Sequence, residues 1–433
     1  MNRRSTLRLG VAGLGAALFA TALAATPAIA ADLVFTSGAL APVTEAQKMR
    51  TIILKDYKGK VSFLPDEPPA MLTRLKAETQ GGARVSSLVG GNDGDLAVLA
   101  AGGVLAPIDD VAAALAGRGF APDLLAMGKL GGDKQLYIPW MQATYFMVAN
   151  KKALPYLPAG ADINALSFEQ LRAWGEAVQK ATGKRVVGFP AGPNGLMHRF
   201  FQGFLIPSYT GGVVSTFKSA DAEKAWSEFA ALWKTVTPNS TSINFMQESL
   251  LSEDVWIGFD HVARLLDALE KKPNEFVAFP APSGPRGRAW MPVVVGLGVL
   301  KDAPDAAGAK DLIGYLTQDT VQLVTAREVG FFPTVRATLP PDLSPGLKMA
   351  VGAIQATGQA KDSLAAMLPV GLGAKGGEFN KVFLDTFQRV VLRGEAVKDV
   401  LARQGETLQR IMTEANAPCW KPDPVGPGVC QVK

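Results

Sequence analysis

Short apolar runs ending in Gly, Pro or acidic residues alternate with helix-periodic stretches after an Ala/Gly-rich leader, and this alternation limits the fold most. Leu33-Val34-Phe35-Thr36 predicts a strand that stops at Ser37-Gly38. Ala46, Met49, Ile53 and Tyr57 then recur at three-four spacing, which predicts a helix. Val61 to Leu64 predicts a second strand, broken by Pro65, Pro68 and Pro69, and another helix starts near Leu72 and Leu75. The pattern calls for βαβ units and a mainly parallel sheet of an α/β protein, because parallel strands need a crossover long enough to hold a helix. Ligands of such sheets gather beyond the C-terminal strand ends. Those ends are Ser37-Gly38, Pro65-Asp66-Glu67 and Gly91-Asn92-Asp93.

The chain has 433 residues, too many for one core, so two or three domain-sized units are expected. Apolar residues make up 48% and charged residues 19%, which supplies enough apolar surface to offset chain entropy and excludes disorder. The 44 basic and 39 acidic residues give a formal charge of +5. Three of the basic residues (Arg3, Arg4, Arg8) lie in the leader, leaving 41 against 39, or +2. Such balance speaks against nucleic acid or an anionic membrane surface as partner, since both need a clustered positive field. Two histidines and two cysteines are too few for a His/Cys metal centre, and no cofactor is expected.

Met1 to Ala30 reads as an export signal. Three arginines precede the apolar stretch Leu9 to Ala25, and Ala28-Ile29-Ala30 offers the small-x-small pattern that signal peptidase needs. The stretch is shorter than the ~18 residues of a membrane span and is followed by Pro27. Arg3-Arg4-Ser5-Thr6-Leu7 is similar to a twin-arginine signal, with Thr6 in place of the usual aromatic, so the export route stays open. The compartment expected is the periplasm. The only cysteines, Cys419 and Cys430, have ten residues between them in a tail rich in Pro and Gly. An oxidising compartment predicts a disulfide there, worth about 3 kcal/mol through restriction of the unfolded chain.

The middle of the chain is more helical. Ser167-Phe168-Glu169-Gln170 predicts a capping box opening a helix with Leu171, Trp174 and Val178 on one face. Trp226, Phe229, Ala230 and Trp233 mark the core face of a helix from about Asp221 to Val236. Met291 to Leu300 predicts a buried strand, and helices are expected from about Lys381 to Val391 and Val397 to Ile411. Motifs for serine hydrolases, zinc proteases, P-loops and EF-hands are all missing. The Gly81-Gly82, Gly90-Gly91 and Gly371 to Gly377 clusters lack dinucleotide-fingerprint spacing and predict turns.

Aromatic residues instead stand beside polar groups at expected strand ends and loops. Tyr137 to Tyr145 contains Trp140, and Gly192 to Arg199 contains Asn194, Met197 and His198. Val255 to His261 ends in Asp260-His261, and Trp290 precedes the glycine-rich strand. Sugar and polyol sites need this mixture. An aromatic face covers the apolar side of a ring, while carboxylate, amide and imidazole groups meet its hydroxyls.

The order of several loose motifs then resembles the extracellular solute-binding proteins of ABC importers, family 1, over essentially the whole mature chain. These are Gly94-Asp95-Leu96 through Gly103 to Asp109; Tyr137 to Asn150; Ser252 to His261; Phe279 to Pro285 with Gly296 and Gly298; and Gly330-Phe331-Phe332-Pro333. The resemblance implies a two-lobed periplasmic-binding-protein fold, with hinged, mixed sheets flanked by helices and discontinuous lobes. Lobe 1 would hold residues 31–139 and 297–344, and lobe 2 residues 140–296 and 345–417, followed by the tail 418–433. Pro139-Trp140 and Gly296-Leu297-Gly298 would be hinge strands.

Carried over to this sequence, the ligand-binding residues would be Ser37, Asp66, Glu67, Asn92, Asp93, Trp140, Asn194, Met197, His198, Asp260, His261 and Trp290. The exit Phe259-Asp260-His261 replaces the family's frequent Gly-x-Trp, and no aromatic of the maltose-binding branch stands near Glu378-Phe379-Asn380. Both departures favour a small, hydroxyl-rich ligand over a long oligosaccharide. The expected function is therefore a monomeric, non-enzymatic periplasmic receptor. It would deliver a neutral sugar or polyol to the membrane permease subunits of an ABC importer. An anionic solute such as a glycerol phosphate, held by Arg199, Arg264, Arg286 or Arg288, is the variant. The competing class is a periplasmic glycosidase with two carboxylates across a cleft.

Overall fold

The computed structural model describes residues 33–120, 122–426 and 428–433. The expected leader, Met1 to Ala30, lies outside them. Twelve strands occur among the described residues. They are β1 Leu33–Ser37, β2 Val61–Pro65, β3 Leu88–Asn92, β4 Ile138–Ala143, β5 Tyr145–Asn150 and β6 Val187–Gly188. The remainder are β7 Ile257–His261, β8 Phe276–Phe279, β9 Arg288–Trp290, β10 Val293–Val299, β11 Phe332–Pro333 and β12 Ser363–Ala365.

They form a six-stranded sheet in the order β11-β4-β10-β3-β1-β2, a four-stranded sheet in the order β6-β7-β5-β8, and the pair β12-β9. Strands β2, β1 and β3 are parallel, as the alternation demands, while β10 runs antiparallel to both β3 and β4. The large sheet is thus mixed. In the smaller one, β5 is antiparallel to β7 and β8, and β6 is parallel to β7. Helices flank each sheet.

The chain passes between the two sheets at Ala143-Thr144-Tyr145 and around Met291-Pro292. It passes a third time after β11, since the helix Pro345–Gln359 packs on β8 and on the helix Leu266–Lys271. Pro139-Trp140 lies inside β4, and Gly296 to Gly298 inside β10. The β4–β10 register slips between Val295 and Gly296, opposite Met141 and Pro139. Proline has no N–H to give the ladder, so the strand bulges there.

Sequence signals locate most elements within a turn. The capping box at Ser167 forms, with Gln170 N–H donating to Ser167 Oγ and Ser167 N–H to Gln170 Oε1. Trp174 and Trp226 are buried in the core. The Ala46 helix spans Val43–Lys48 and continues as a π-helix over Met49–Ile53. The helix predicted from Lys381 starts earlier and spans Gly376–Phe387, again extended by a π segment, and the last helix runs Val397–Ala415. Gly90-Gly91 departs from expectation: it is strand, not turn. A Cβ on Gly90 would lie 2.9 Å from Ser37 Oγ, so glycine serves close approach of β3 to β1. Cys419 and Cys430 form the expected disulfide, with Cα atoms 4.6 Å apart.

Candidate ligand-binding site

Two short helices bring the polar groups together, one from each sheet layer. The helix Asp93–Ala101 follows β3 directly and buries Asp93, Leu96 and Leu99, which leaves Asp95 off its packed face. Asp93 is itself occupied, accepting from Tyr137 Oη at 2.5 Å. Tyr137 reaches it across β10 because Gly296 has no side chain: a Cβ there would lie 2.2 Å from the Tyr137 ring.

Opposite stands the helical run from Met197 through Phe200, a π-helix Phe201–Leu205 and Ile206–Thr210. Met197, Phe200, Phe201, Phe204 and Leu205 are buried. Phe200 lies 4.8 Å from the Phe189 ring and 4.9 Å from Phe259, and Phe201 lies 4.7 Å from Trp226. This aromatic core fixes the helix and directs His198 and Arg199 away from the packed face.

The electrostatics link the two helices. Burial pushes Asp95 up to about 6, and Arg199 is the charge that opposes this most, with help from the Asn92 amide. Burial lowers Arg199, with Tyr145 and Asp95 acting the other way. Burial, then Arg199 and Arg264, hold His198 well below its usual range. Glu45, on the helix Val43–Lys48, is pushed up to about 7 by burial, against Arg264 and Lys48. A carboxylate-bearing face thus meets a guanidinium- and imidazole-bearing face. Asp95 Oδ2 is buried without a hydrogen-bond partner. The half-buried side chains of His198 and Arg199 form no hydrogen bond or ion pair among the described residues. A buried polar atom left unpaired costs about 1–3 kcal/mol, so the Asp95 oxygen beside these donors fits a polar ligand.

Contacts between the two layers flank these groups. The rings of His261 and Phe331 lie 5.4 Å apart, and a Cβ on Gly330 would sit 3.4 Å from Ala263 Cα. On the other side a Cβ on Gly94 would lie 2.9 Å from the Pro369 carbonyl.

The twelve residues singled out from sequence occupy different settings. Ser37 turns back on its own loop, bonding Ala39 through N–H and C=O. Asp66 pairs with Arg74 at 2.7 Å, and Glu67 is an exposed residue preceding the helix Pro68–Gln80. Asn92 immediately precedes the Asp95 helix. Asn194 donates its N–H to Asn244 Oδ1, and its carbonyl and that of Asn244 accept from Arg264, whose guanidinium lies 4.4 Å over the Phe245 ring. Asp260 is fully buried, with its two oxygens taking the N–H groups of Met246 and His261. His261 accepts from Ala263 N–H, and burial with Arg264 nearby lowers it to about 3.

Met197 is core. Trp140 is also fully buried, edge-on to Phe35. Trp290 is part-exposed and donates to Ser363 Oγ. It lines a mostly apolar cavity of about 300 Å³ with Thr144, Pro333 and Ile354, beside the strand crossings. Asn92, Asp93 and His198 therefore join the constellation, while Asp66 and Trp290 lie elsewhere. Of the four arginines, Arg199 and Arg264 reach it; Arg286 pairs with Asp221, and Arg288 is buried against the Ala281 carbonyl. Glu45, Asp95 and Tyr145 are the additions. Asp95 stands in the Gly94-Asp95-Leu96 motif, but periodicity alone does not mark it as facing another layer.

Two α/β lobes, each with its own sheet and with unpaired polar groups between them, define the class: a two-lobed binding protein. The bacterial extracellular solute-binding protein family model matches residues 30–323, and the chain belongs to that family. No curated protein matches the chain. Among solved structures, maltose-bound MalE3 of Thermotoga maritima is similar with a TM-score of 0.71 at 16% identity, covering 88% of this chain and 99% of its own. UgpB of Mycobacterium tuberculosis with glycerophosphocholine gives 0.70 at 18%, covering 88% and 98%. A solute-binding protein of Agrobacterium vitis S4 with D-mannitol gives 0.69 at 14%, covering 89% and 99%. The matched family is one of extracellular solute-binding proteins, and these neighbours, solved with maltose, glycerophosphocholine and D-mannitol, share its two-lobed fold. No helix among the described residues is long and apolar enough to cross a membrane.

Proposed function

We propose that this chain is a periplasmic receptor, exported by a cleavable signal and acting as a monomer. It captures one small, neutral, hydroxyl-rich solute between its lobes and passes it unaltered to the permease subunits of an ABC importer. The observation that carries this reading is the buried Asp95 oxygen without a hydrogen-bond partner, close enough to Arg199 of the other layer to feel its charge, with His198 next to Arg199. A hydroxyl is both donor and acceptor, so adjacent hydroxyls can donate to Asp95 and accept from Arg199, removing both desolvation costs at once. Because the two groups belong to different lobes, only the shut form offers both, and the solute selects that form. Asn92 and Asn194 supply further directional contacts at the rim. The lobes divide where the chain crosses between sheets, at Ala143-Thr144-Tyr145, at Met291-Pro292 and between β11 and Pro345.

A second reading, an anionic solute, is favoured by Arg199 and Arg264 together, and UgpB was solved with glycerophosphocholine. The carboxyls of Glu45, Asp93 and Asp95 on the facing lobe weigh against it by like-charge repulsion. A thermal-shift panel of maltose, D-mannitol, glycerol 3-phosphate and glycerophosphocholine tests both. A shift with a neutral compound, unchanged at high salt and lost in Asp95→Ala, is the expected result. A shift restricted to the phosphate compounds, weakened by salt and lost in Arg199→Gln, would replace the neutral reading with the anionic one. Chemical turnover of the bound compound would overturn both.

A further inference from the structure

The disulfide-closed tail touches supports of both faces of the ligand site, and solute capture as described above makes no use of it. Asp423 is nearly fully buried, at 2% exposure, and its carboxylate accepts four hydrogen bonds. Oδ2 takes the N–H groups of Val213 at 2.9 Å and Val214 at 3.0 Å. Oδ1 takes Ser215 N–H at 2.9 Å and Ser215 Oγ at 2.5 Å. These residues form the turn that ends the helical run carrying His198 and Arg199, entered through Gly211 at φ 72°. A Cβ on Gly212 would lie 2.6 Å from Asp423 Oδ1, so the turn and the carboxylate fit without spare room.

The same tail holds the strap that follows β12. Met367 N–H donates to the Lys421 carbonyl at 2.9 Å, and a Cβ on Gly371 would lie 2.8 Å from Pro418 Cδ. Between those two anchor points the Pro369 carbonyl reaches the opposite lobe, at Gly94, between Asp93 and Asp95. The tail is closed on itself by Cys419–Cys430 and by Cys430 N–H on the Ala417 carbonyl at 2.9 Å. It is seated by Trp420, which is buried against Phe379. Its last residue accepts from Lys218 N–H at 2.7 Å.

We propose that this tail is a positioning element for the ligand site. Asp423 holds the turn behind Arg199, and Pro418 and Lys421 hold the strap that meets Gly94 beside Asp95, so one stapled segment sets both sides of the opening. A segment without helix or strand has few internal hydrogen bonds to keep it in place, and ring closure by the disulfide reduces the alternatives open to it. The proposal rests on reading the Asp95–Arg199 space as the site.

Hydrogen–deuterium exchange of the mature protein without ligand tests it, and its outcome does not depend on whether a sugar binds. Asp423→Asn, and separately Cys419→Ser with Cys430→Ser, are expected to speed exchange at least tenfold in peptides covering 366–372 and 93–101. Peptides covering β7 and Pro345–Gln359 stay unchanged. Gly94→Ala, which crowds the far end of the strap, is expected to speed exchange in 366–372 but not in 213–215. Exchange that rises only in the tail and in 213–215, or rises evenly through the chain, would reduce the tail to a general stabiliser and overturn the proposal. If the cysteine variant does not fold, the wild type with and without a phosphine reductant supplies the same comparison, and the same two patterns of exchange support or overturn the role.

Discussion

The hydroxyl of Thr144 donates to the carbonyl of Met291 at 2.9 Å, joining two of the segments by which the chain crosses between its sheets. The bond is buried, with Thr144 between β4 and β5 and Met291 just before β10. Thr144→Val is expected to strand the Met291 carbonyl and cost about 1–3 kcal/mol, visible in chemical denaturation. If the segments also act as the hinge, small-angle scattering will show a broader mixture of open and shut forms for the variant than for the wild type.

Asp95→Asn removes a desolvated charge whose Oδ2 has no hydrogen-bond partner, and two opposite effects follow. The ligand-free protein becomes more resistant to heat, because a desolvated carboxylate is replaced by a neutral amide. Affinity for the solute that gives the largest thermal shift falls about tenfold, the equivalent of ~1.4 kcal/mol. Calorimetric titration alongside thermal melting checks both directions. A fall in both stability and affinity would mean that Asp95 is structural.

Stability should depend on pH through Glu45. Its carboxyl is raised by burial from 4.5 to about 7, so the folded protein binds this proton more tightly than the unfolded chain. The favourable contribution is present below pH 4.5 and is lost as the pH rises through about 7. Glu45→Gln mimics the protonated form. It is expected to raise the melting temperature at pH 8 and leave it unchanged near pH 4.5. The buried histidines act in the opposite sense: lowered on folding, they cost stability as the pH falls below 6.5. Comparing the variant with wild type at each pH cancels their effect.

Trp140 separates burial from ligand contact. Its ring is enclosed against Phe35, so Trp140→Phe is expected to lower stability by roughly 1–3 kcal/mol through lost packing and leave solute affinity intact. A loss of affinity without a loss of stability would place the indole on the solute. Urea unfolding and calorimetric titration of the same sample decide between them.

The residues of β1, β2 and the capping box at Ser167 are legible locally because apolar spacing, proline and cap residues act within one turn or one strand. The same holds for the tail, where two cysteines in a short irregular segment leave a single pairing. Gly90 departs from its expected turn because a strand glycine and a turn glycine look alike until the neighbouring Ser37 and Phe35 are in view. Trp140 and Asp260 carry the right chemistry for a sugar site. Yet one is folded into the core and the other spends both oxygens on the backbone amides of Met246 and His261.

By itself, then, the sequence determined the α/β layers, the export-type leader pattern, the stapled tail and a family resemblance, all of which rest on interactions between near neighbours or on residue types. Only the tertiary structure decided that Asp95 faces Arg199, that Tyr137 reaches Asp93 over Gly296, and that the tail supports both sides of the opening. Periodicity reports which face of a helix is covered by its own layer. It carries no information about which distant segment meets the uncovered face, because that depends on where three crossings of the chain set two separately packed sheets.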